Sequence, residues 1–270
     1  MSARQPHAAK DVSACQRHGA IVASRAVQAE TPEQARELFA ELVERDIRSG
    51  DRKGYFAALH LNTVSEILRQ VSAGEFEQGQ RIADVLLHFT NRYFAQRNAF
   101  ETGGAVSASW KVAFEATTNP REVLFGHVVL GMNAHINIDL PIATARAKPL
   151  RQDFEKINLV LASLLDRVQQ VIYETSRPWK LTKWIAPKLA DSLINQGMKL
   201  ARSHAWWVAQ GLSALEEPQL TQELEAIDEA VADIAEAYQA PGKQHPWLMA
   251  LSRWGEPKSV AEGIRRIRDL

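Results

Sequence analysis

A single cysteine, Cys15, stands in a chain of 270 residues, which excludes a disulfide framework and any Cys-rich zinc site. Glycine (14) and proline (11) are scarce, too few for a β-rich fold full of tight turns. An excess of charge of one sign is missing as well. Lys+Arg and Asp+Glu are both 32, so no global field draws the chain to nucleic acid or to an anionic membrane. Gly-rich phosphate loops, nucleophile elbows and Asp-rich prenyl-diphosphate motifs are absent, as are internal repeats and low-complexity tracts. Sustained period-2 alternation and Asn-Gly or Asp-Gly hairpins are also lacking.

The N-terminal stretch carries Arg and Lys but no continuous apolar core, so it is no secretory signal. Residues 1–29 are expected to be an unstructured tail, residues 30–270 one domain, and the location cytoplasmic. The longest apolar stretch, Val123 to Ile142, contains His127, Asn133, His135, Asn137 and Asp139. Such a set is prohibitive in a lipid-facing helix, so no transmembrane segment is expected. The stretch reads as a helix buried in protein.

What is present is ordinary globular material, 46% apolar and 24% charged, in a chain long enough to bury a full core. Helix punctuation recurs throughout. Thr31-Pro32-Glu33-Gln34 is a capping box with proline at the first helical position. The helix it opens carries Leu38, Phe39, Leu42 and Val43 at helical spacing and stops near Gly50. Asp51 is positioned to cap a second helix ending at Gly74, and a third spans Phe76 to about Phe100 before Gly103-Gly104. A short helix, Ser107 to Ala116, follows.

Asn119-Pro120-Arg121-Glu122 then predicts the start of a helix that ends at Pro141, with a looser segment from Ile142 to Pro149. Further helices are expected over Leu150 to Thr175, Lys188 to Leu215, Pro218 to Tyr238 and Trp247 to Trp254, with a turn at Pro241-Gly242 and a basic C-terminal tail. The fold class is all-α: one bundle of about eight helices around a buried central helix at about 120–140.

The chemistry concentrates on that central helix. At about 100° per residue, His127, Gly131, His135 and Asp139 drift by only about 40° per turn and form one slanting stripe. His135 and Asp139 are i, i+4 neighbours, and so are Asn133 and Asn137. An unpaired buried polar group costs about 1–3 kcal/mol, so this density implies a polar network or a site inside the core. His127, Asn133, His135, Asn137 and Asp139 are therefore the candidate catalytic residues, suited to general acid-base work on a small molecule.

His135, Asp139 and Asp153 are the candidate metal set, and a divalent metal is the cofactor they would take. Asp84 with His88, and His60, are further ligands by residue type, yet Glu-x-x-His and His-Glu-x-x-His are both missing. The alternative is a non-catalytic helical protein that binds an apolar ligand or a protein partner, with the polar set as scaffold. Trp206-Trp207 beside Arg202 reads as helix packing, the Trp179–Trp184 segment as a packed connection or a lid, and Arg92 as a surface salt-bridge former.

The run Leu130-Gly131-Met132-Asn133-Ala134-His135-Ile136-Asn137-Ile138-Asp139-Leu140 resembles the hallmark of an uncharacterised bacterial family, a domain of unknown function. Ser109-Trp110 with Ala113-Phe114-Glu115, Asp153-Phe154 with Ile157-Asn158, and Ala201-Arg202 with Ala205-Trp206 resemble its other stretches. The resemblance covers roughly Asp51 to Gly242. It implies an all-helical single domain and brings no established activity or catalytic residues. The run from His127 to His135 is also similar, more distantly, to the central helix of zinc-dependent phospholipase C and P1-type nuclease enzymes. That likeness implies a metal-dependent phosphoester hydrolase, although the N-terminal tryptophan and full His/Asp ligand set of those enzymes are not matched.

Overall fold

The computed structural model describes residues 28–175, 187–245, 247, 250, 253–254 and 256–270. Cys15, nearly all of the expected tail, the Trp179–Trp184 segment and most of the helix expected near Trp247 lie outside the described residues.

Capping chemistry builds the first helices as the sequence dictates. The Thr31 hydroxyl accepts from Gln34 N–H, and the Gln34 side chain accepts in turn from Glu30 N–H, opening α1 (Pro32–Ser49). Gly50, at φ 68°, ends it in the left-handed conformation that favours glycine. Asp51 accepts from Lys53 N–H to start α2 (Lys53–Ser72). α3 (Gly79–Thr102) ends at Gly103, also left-handed at φ 72°. α4 (Ala108–Thr118) is capped from a distance: Asp228 accepts from the backbone N–H groups of Ala108 and Ser109. Ala29, expected in the tail, is buried and held by both ends of the Asn91 side chain.

The centre of the molecule is one unbroken helix in three parts: α5 (Leu124–Ala134), a π turn (His135–Asp139) and α6 (Leu140–Ala147). Nearly every residue of it is buried, as the apolar circumference requires. Its ends differ from expectation. The Asn119 side chain accepts from Arg121 N–H and its C=O from Glu122 N–H, which closes a local turn, so the helix does not begin at Pro120. It begins at Leu124, whose N–H donates to Glu256, a cap from 132 positions away. Nor does Pro141 end it. Leu140 N–H donates to His135 C=O in the wider π spacing, and Pro141, which lacks an N–H, falls in the first turn of α6 where none is needed.

α7 (Arg151–Thr175), α8 (Pro187–Leu212), α9 (Gln219–Gln244) and α10 (Val260–Arg268) complete the bundle. The turn expected at Pro241-Gly242 is instead the last turn of α9. The expected basic tail is a helix, capped by the Ser259 hydroxyl accepting from Glu262 N–H and buried through Ile264 and Ile267. Counting the central helix through, the described residues form nine helices and no strand. The architecture is an all-α, single-domain bundle, and none of its described helices is long and apolar enough to cross a membrane.

The core is aromatic where the central helix meets α2, α3 and α4. Phe39, Phe56, Tyr93, Trp110 and Phe114 are buried in ring-to-ring contacts around it. Gly131 makes this possible: a Cβ there would lie 2.5 Å from the Phe56 ring.

Candidate functional site

His135 opens the π turn and Asp139 closes it, which directs both side chains into the aromatic core toward α2, α3 and α4. A π turn adds one residue to a helical turn and often marks a functional position. His135 Nδ1 lies 2.8 Å from one Asp139 oxygen, and Trp110 Nε1–H donates to that same oxygen at 2.8 Å. Arg92 Nε–H donates to the other oxygen at 2.6 Å. On the far side of the ring, His135 Nε2 lies 3.4 Å from Nε2 of His60. Phe89 stacks on the His135 ring with centroids 3.5 Å apart, and Phe56 meets it edge-on. Asp139 is fully buried, His135 is 2% exposed and His60 is 3% exposed.

The electrostatics follow from burial and charge balance. Burial alone raises the Asp139 carboxyl, but the His135 hydrogen bond, the Arg92 charge and the Trp110 N–H together hold it below the usual carboxylate range. Burial lowers His135 despite the favourable Asp139 contact, and Arg92 opposes a proton there as well. Burial, then the neighbouring His135 ring, takes His60 well below the imidazole range. Asp139 is therefore an anion balanced by Arg92, and both imidazoles are neutral at neutral pH. An ionised carboxylate only accepts, so His135 carries its proton on Nδ1 and presents a lone pair at Nε2.

The two imidazoles line a cavity of about 30 Å³ together with Leu59, Met132, Ile136, Leu161 and Leu164. Its volume suits one water molecule, and its walls are apolar. Leu164 of α7 borders this cavity and also a cleft of about 760 Å³ between α2 and α7. Leu164 is thus common to the walls of both spaces.

Of the expected site residues, only His135 and Asp139 meet in this array. Asn137 donates to the backbone and side-chain oxygens of Asn133, and Asn133 donates to Val231 C=O of α9, which makes that pair a tether on another side of the helix. His127 stacks on Tyr55, two turns from His135, and neither of its ring nitrogens has a hydrogen-bond partner. Asp153 accepts from the N–H groups of Glu77 and Gln78, capping the start of α3, so the metal set His135, Asp139 and Asp153 is not gathered. Among the described residues no group of three or more His, Cys, Asp or Glu is placed to hold a metal ion. The ligand set expected from the likeness to zinc phospholipase C and P1 nuclease is therefore not assembled there.

Arg92 and Trp110 complete the array although no motif marks them, and His60 enters it as a second imidazole rather than in a divalent-metal set. Their contributions come from three different helices, so no local spacing reveals them. An i, i+4 His–Asp pair inside an apolar helix was the available signal.

This is an all-helical bundle whose centre holds a buried Asp–His–His array. The chain belongs to the family of unknown function DUF5995, which it matches over residues 33–241. No curated protein and no solved structure matches the chain.

Proposed function

We propose that the chain is an enzyme in which His135, oriented by Asp139, serves as general base on a small, largely apolar molecule, with His60 as the second proton carrier. One observation carries this reading: a buried carboxylate oxygen lies 2.8 Å from His135 Nδ1, while the other ring nitrogen is turned to His60 and the two rings line an apolar cavity. A carboxylate that orients an imidazole in this way is a recurrent means of preparing a base. His60 Nε2–H donates to His135 Nε2 in the resting state and must give way to substrate or water before catalysis. The substrate enters from the α2/α7 cleft past Leu164.

The test is incubation of the native protein with a small-molecule extract in deuterium oxide, read by mass spectrometry for deuterium uptake or new products. The wild-type chain is expected to change at least one compound. His135→Gln and Asp139→Asn should lower that rate by about 10²–10⁴-fold, the range for a positioned proton-transfer group. Conversion that survives in His135→Gln overturns the reading, as does failure of the wild-type chain to convert any compound.

A second reading rests on the size of the cavity. About 30 Å³ holds a water but no substrate, which favours a non-catalytic helical protein with the array as internal scaffold. Under that reading Leu164→Ala enlarges an empty space and creates no new binding. Under the enzymatic reading it speeds conversion or admits larger compounds.

A further inference from the structure

His60 Nε2 of α2 and His135 Nε2 of the π turn lie 3.4 Å apart, longer than the ordinary N–H hydrogen bond of about 2.7–3.2 Å. Among the described residues that long contact is the one hydrogen bond of the His60 ring. The spacing suits another partner better. An imidazole nitrogen binds a first-row metal ion at about 2 Å, so nitrogens 3.4 Å apart subtend about 115° at a shared ion, between the tetrahedral and trigonal angles. Met132 stands three residues before His135 on one helix face and lines the same cavity of about 30 Å³, room for one ion.

The donor set decides which ion. Two imidazoles and a thioether are too few for zinc, which takes four donors, and among the described residues no third His, Cys, Asp or Glu joins them. Thioether and imidazole together select copper(I), a soft ion. The remaining walls are leucine, isoleucine, phenylalanine and the Thr63 side chain, and the Thr63 hydroxyl is already bonded to Leu59 C=O. Charge brought into such a space is costly, and a monovalent ion costs least. Behind His135 stands Asp139 on Nδ1, the carboxylate that a metal-ligating histidine commonly holds on its other nitrogen.

We propose that His60 Nε2, His135 Nε2 and the Met132 thioether form a binding site for one copper(I) ion. Both nitrogens must offer a lone pair. His135 does so with its proton on Nδ1, and His60 moves its proton from Nε2 to Nδ1, so coordination releases no proton. The site needs only the spacing and chemistry of these donors. Inhibition of the proposed enzyme by the same ion, which occupies the nitrogen of the base, is the one consequence that rests on the catalytic reading.

The experiment is oxygen-free titration of the full-length Cys15→Ser chain with copper(I) against a chromophoric copper(I) chelator, the substitution removing a competing thiol. One ion per chain is expected, and X-ray absorption should show two nitrogens and one sulfur around it. Silver(I), a redox-inert substitute, should shift the nitrogen-15 signals of both Nε2 atoms. Asp139→Asn should weaken binding about 10–100-fold, as loss of the carboxylate behind a ligand does, and His60→Gln, which removes a ligand, by more than that. Should His60→Gln fail to fold, Met132→Leu, which nearly conserves volume, decides the matter: it should remove the sulfur signal and weaken binding. Failure of the Cys15→Ser chain to bind copper(I) overturns the proposal. So does binding as tight in His60→Gln as in its parent, or a bound ion without a sulfur neighbour. Copper(I) that binds in this way yet leaves substrate conversion unchanged supports the site and removes the general-base role of His135, whereas conversion without copper binding does the reverse.

Discussion

Asp46 and Asp139 are both wholly buried, and both bind an arginine of α3, Arg97 and Arg92 respectively. Around Asp46 the partners are fixed charges and one phenol. Arg97 donates to both Asp46 oxygens at 2.6 and 2.7 Å and reaches Glu101 and the Tyr93 hydroxyl. This cluster ties α1 to α3, extends to Arg45, Asp51 and Lys53, and borders a cleft through Arg97 and Glu101, but it holds no imidazole. Asp139 spends one oxygen on Arg92 and the other on Trp110 and His135, and the imidazole carries the polarity onward to His60 and a cavity. A buried Asp–Arg pair is therefore not by itself a sign of function. What distinguishes the second is a pair of imidazoles, one bound to the carboxylate and both lining an apolar cavity.

Breaking each pair sharpens the contrast. Asp46→Ala strands Arg97, 2% exposed, without its main counter-charge, and should cost about 3–5 kcal/mol in denaturant unfolding. The His135 ring should be unaffected in its NMR signals, which would fail if the two clusters were coupled. Asp139→Asn removes less stability, about 2–3 kcal/mol, because Arg92 is partly solvated and the amide keeps the shape. Its larger consequence is chemical. The amide that replaces the carboxylate no longer obliges His135 to hold its proton on Nδ1, and a change in the ring's tautomer in nitrogen-15 spectra checks this.

Gly131→Ala tests the packing that brings Phe56 against His135. The new methyl meets the Phe56 ring, and the expected cost is about 1–2 kcal/mol by thermal melting, after the roughly 1 kcal/mol that alanine gains over glycine in a helix. A stabilised variant would show that the contact is loose.

The smallest effect falls on His127, the buried histidine of the same helix that has no partner. Burial, helped by the charges of Arg52 and Arg253, takes it down to about 3. The unfolded chain binds a proton on this ring near pH 6.5 while the folded chain withholds it. Stability is therefore full above pH 6.5 and falls as the pH drops toward 3. The ring accounts for up to about 1.4 kcal/mol per pH unit of that slope. His127→Phe should be neutral at pH 7 or gain about 1 kcal/mol, since it removes two unmet polar atoms, and it should flatten the acid slope. Destabilisation at pH 7 would mean that those nitrogens do have partners.

Local signals in the chain were legible where the chemistry is local. The Thr31 cap, the glycines at 50 and 103 and the polar stripe from His127 to Asp139 all correspond to observed features. Long-range partners misled wherever they overrode local preference. Asn119-Pro120 has every mark of a helix start, yet Glu256 decides that the helix begins at Leu124. Pro141 has the mark of a helix end, yet the π turn placed before it removes the need for its missing N–H. The C-terminal helix is a different case, because Ser259-Val260-Ala261-Glu262 is a readable capping box that the basic residues after it obscured. Within the site, the His135–Asp139 pair is visible from spacing, whereas Arg92 reads as a surface salt-bridge former and nothing local marks Trp110, and only the fold brings both to one carboxylate. Asp153 shows the reverse, since a residue chosen as a ligand proves to be a helix cap.

Nitrogen-15 NMR of the histidine side chains from pH 5 to 8 reads whether His135 is a neutral imidazole held in one form by Asp139. His135 should not titrate across this range and should show a protonated Nδ1 and an unprotonated Nε2, and Asp139→Asn should disturb that assignment. A His135 ring that titrates near pH 6.5, or one that carries its proton on Nε2 beside an ionised Asp139, would contradict it.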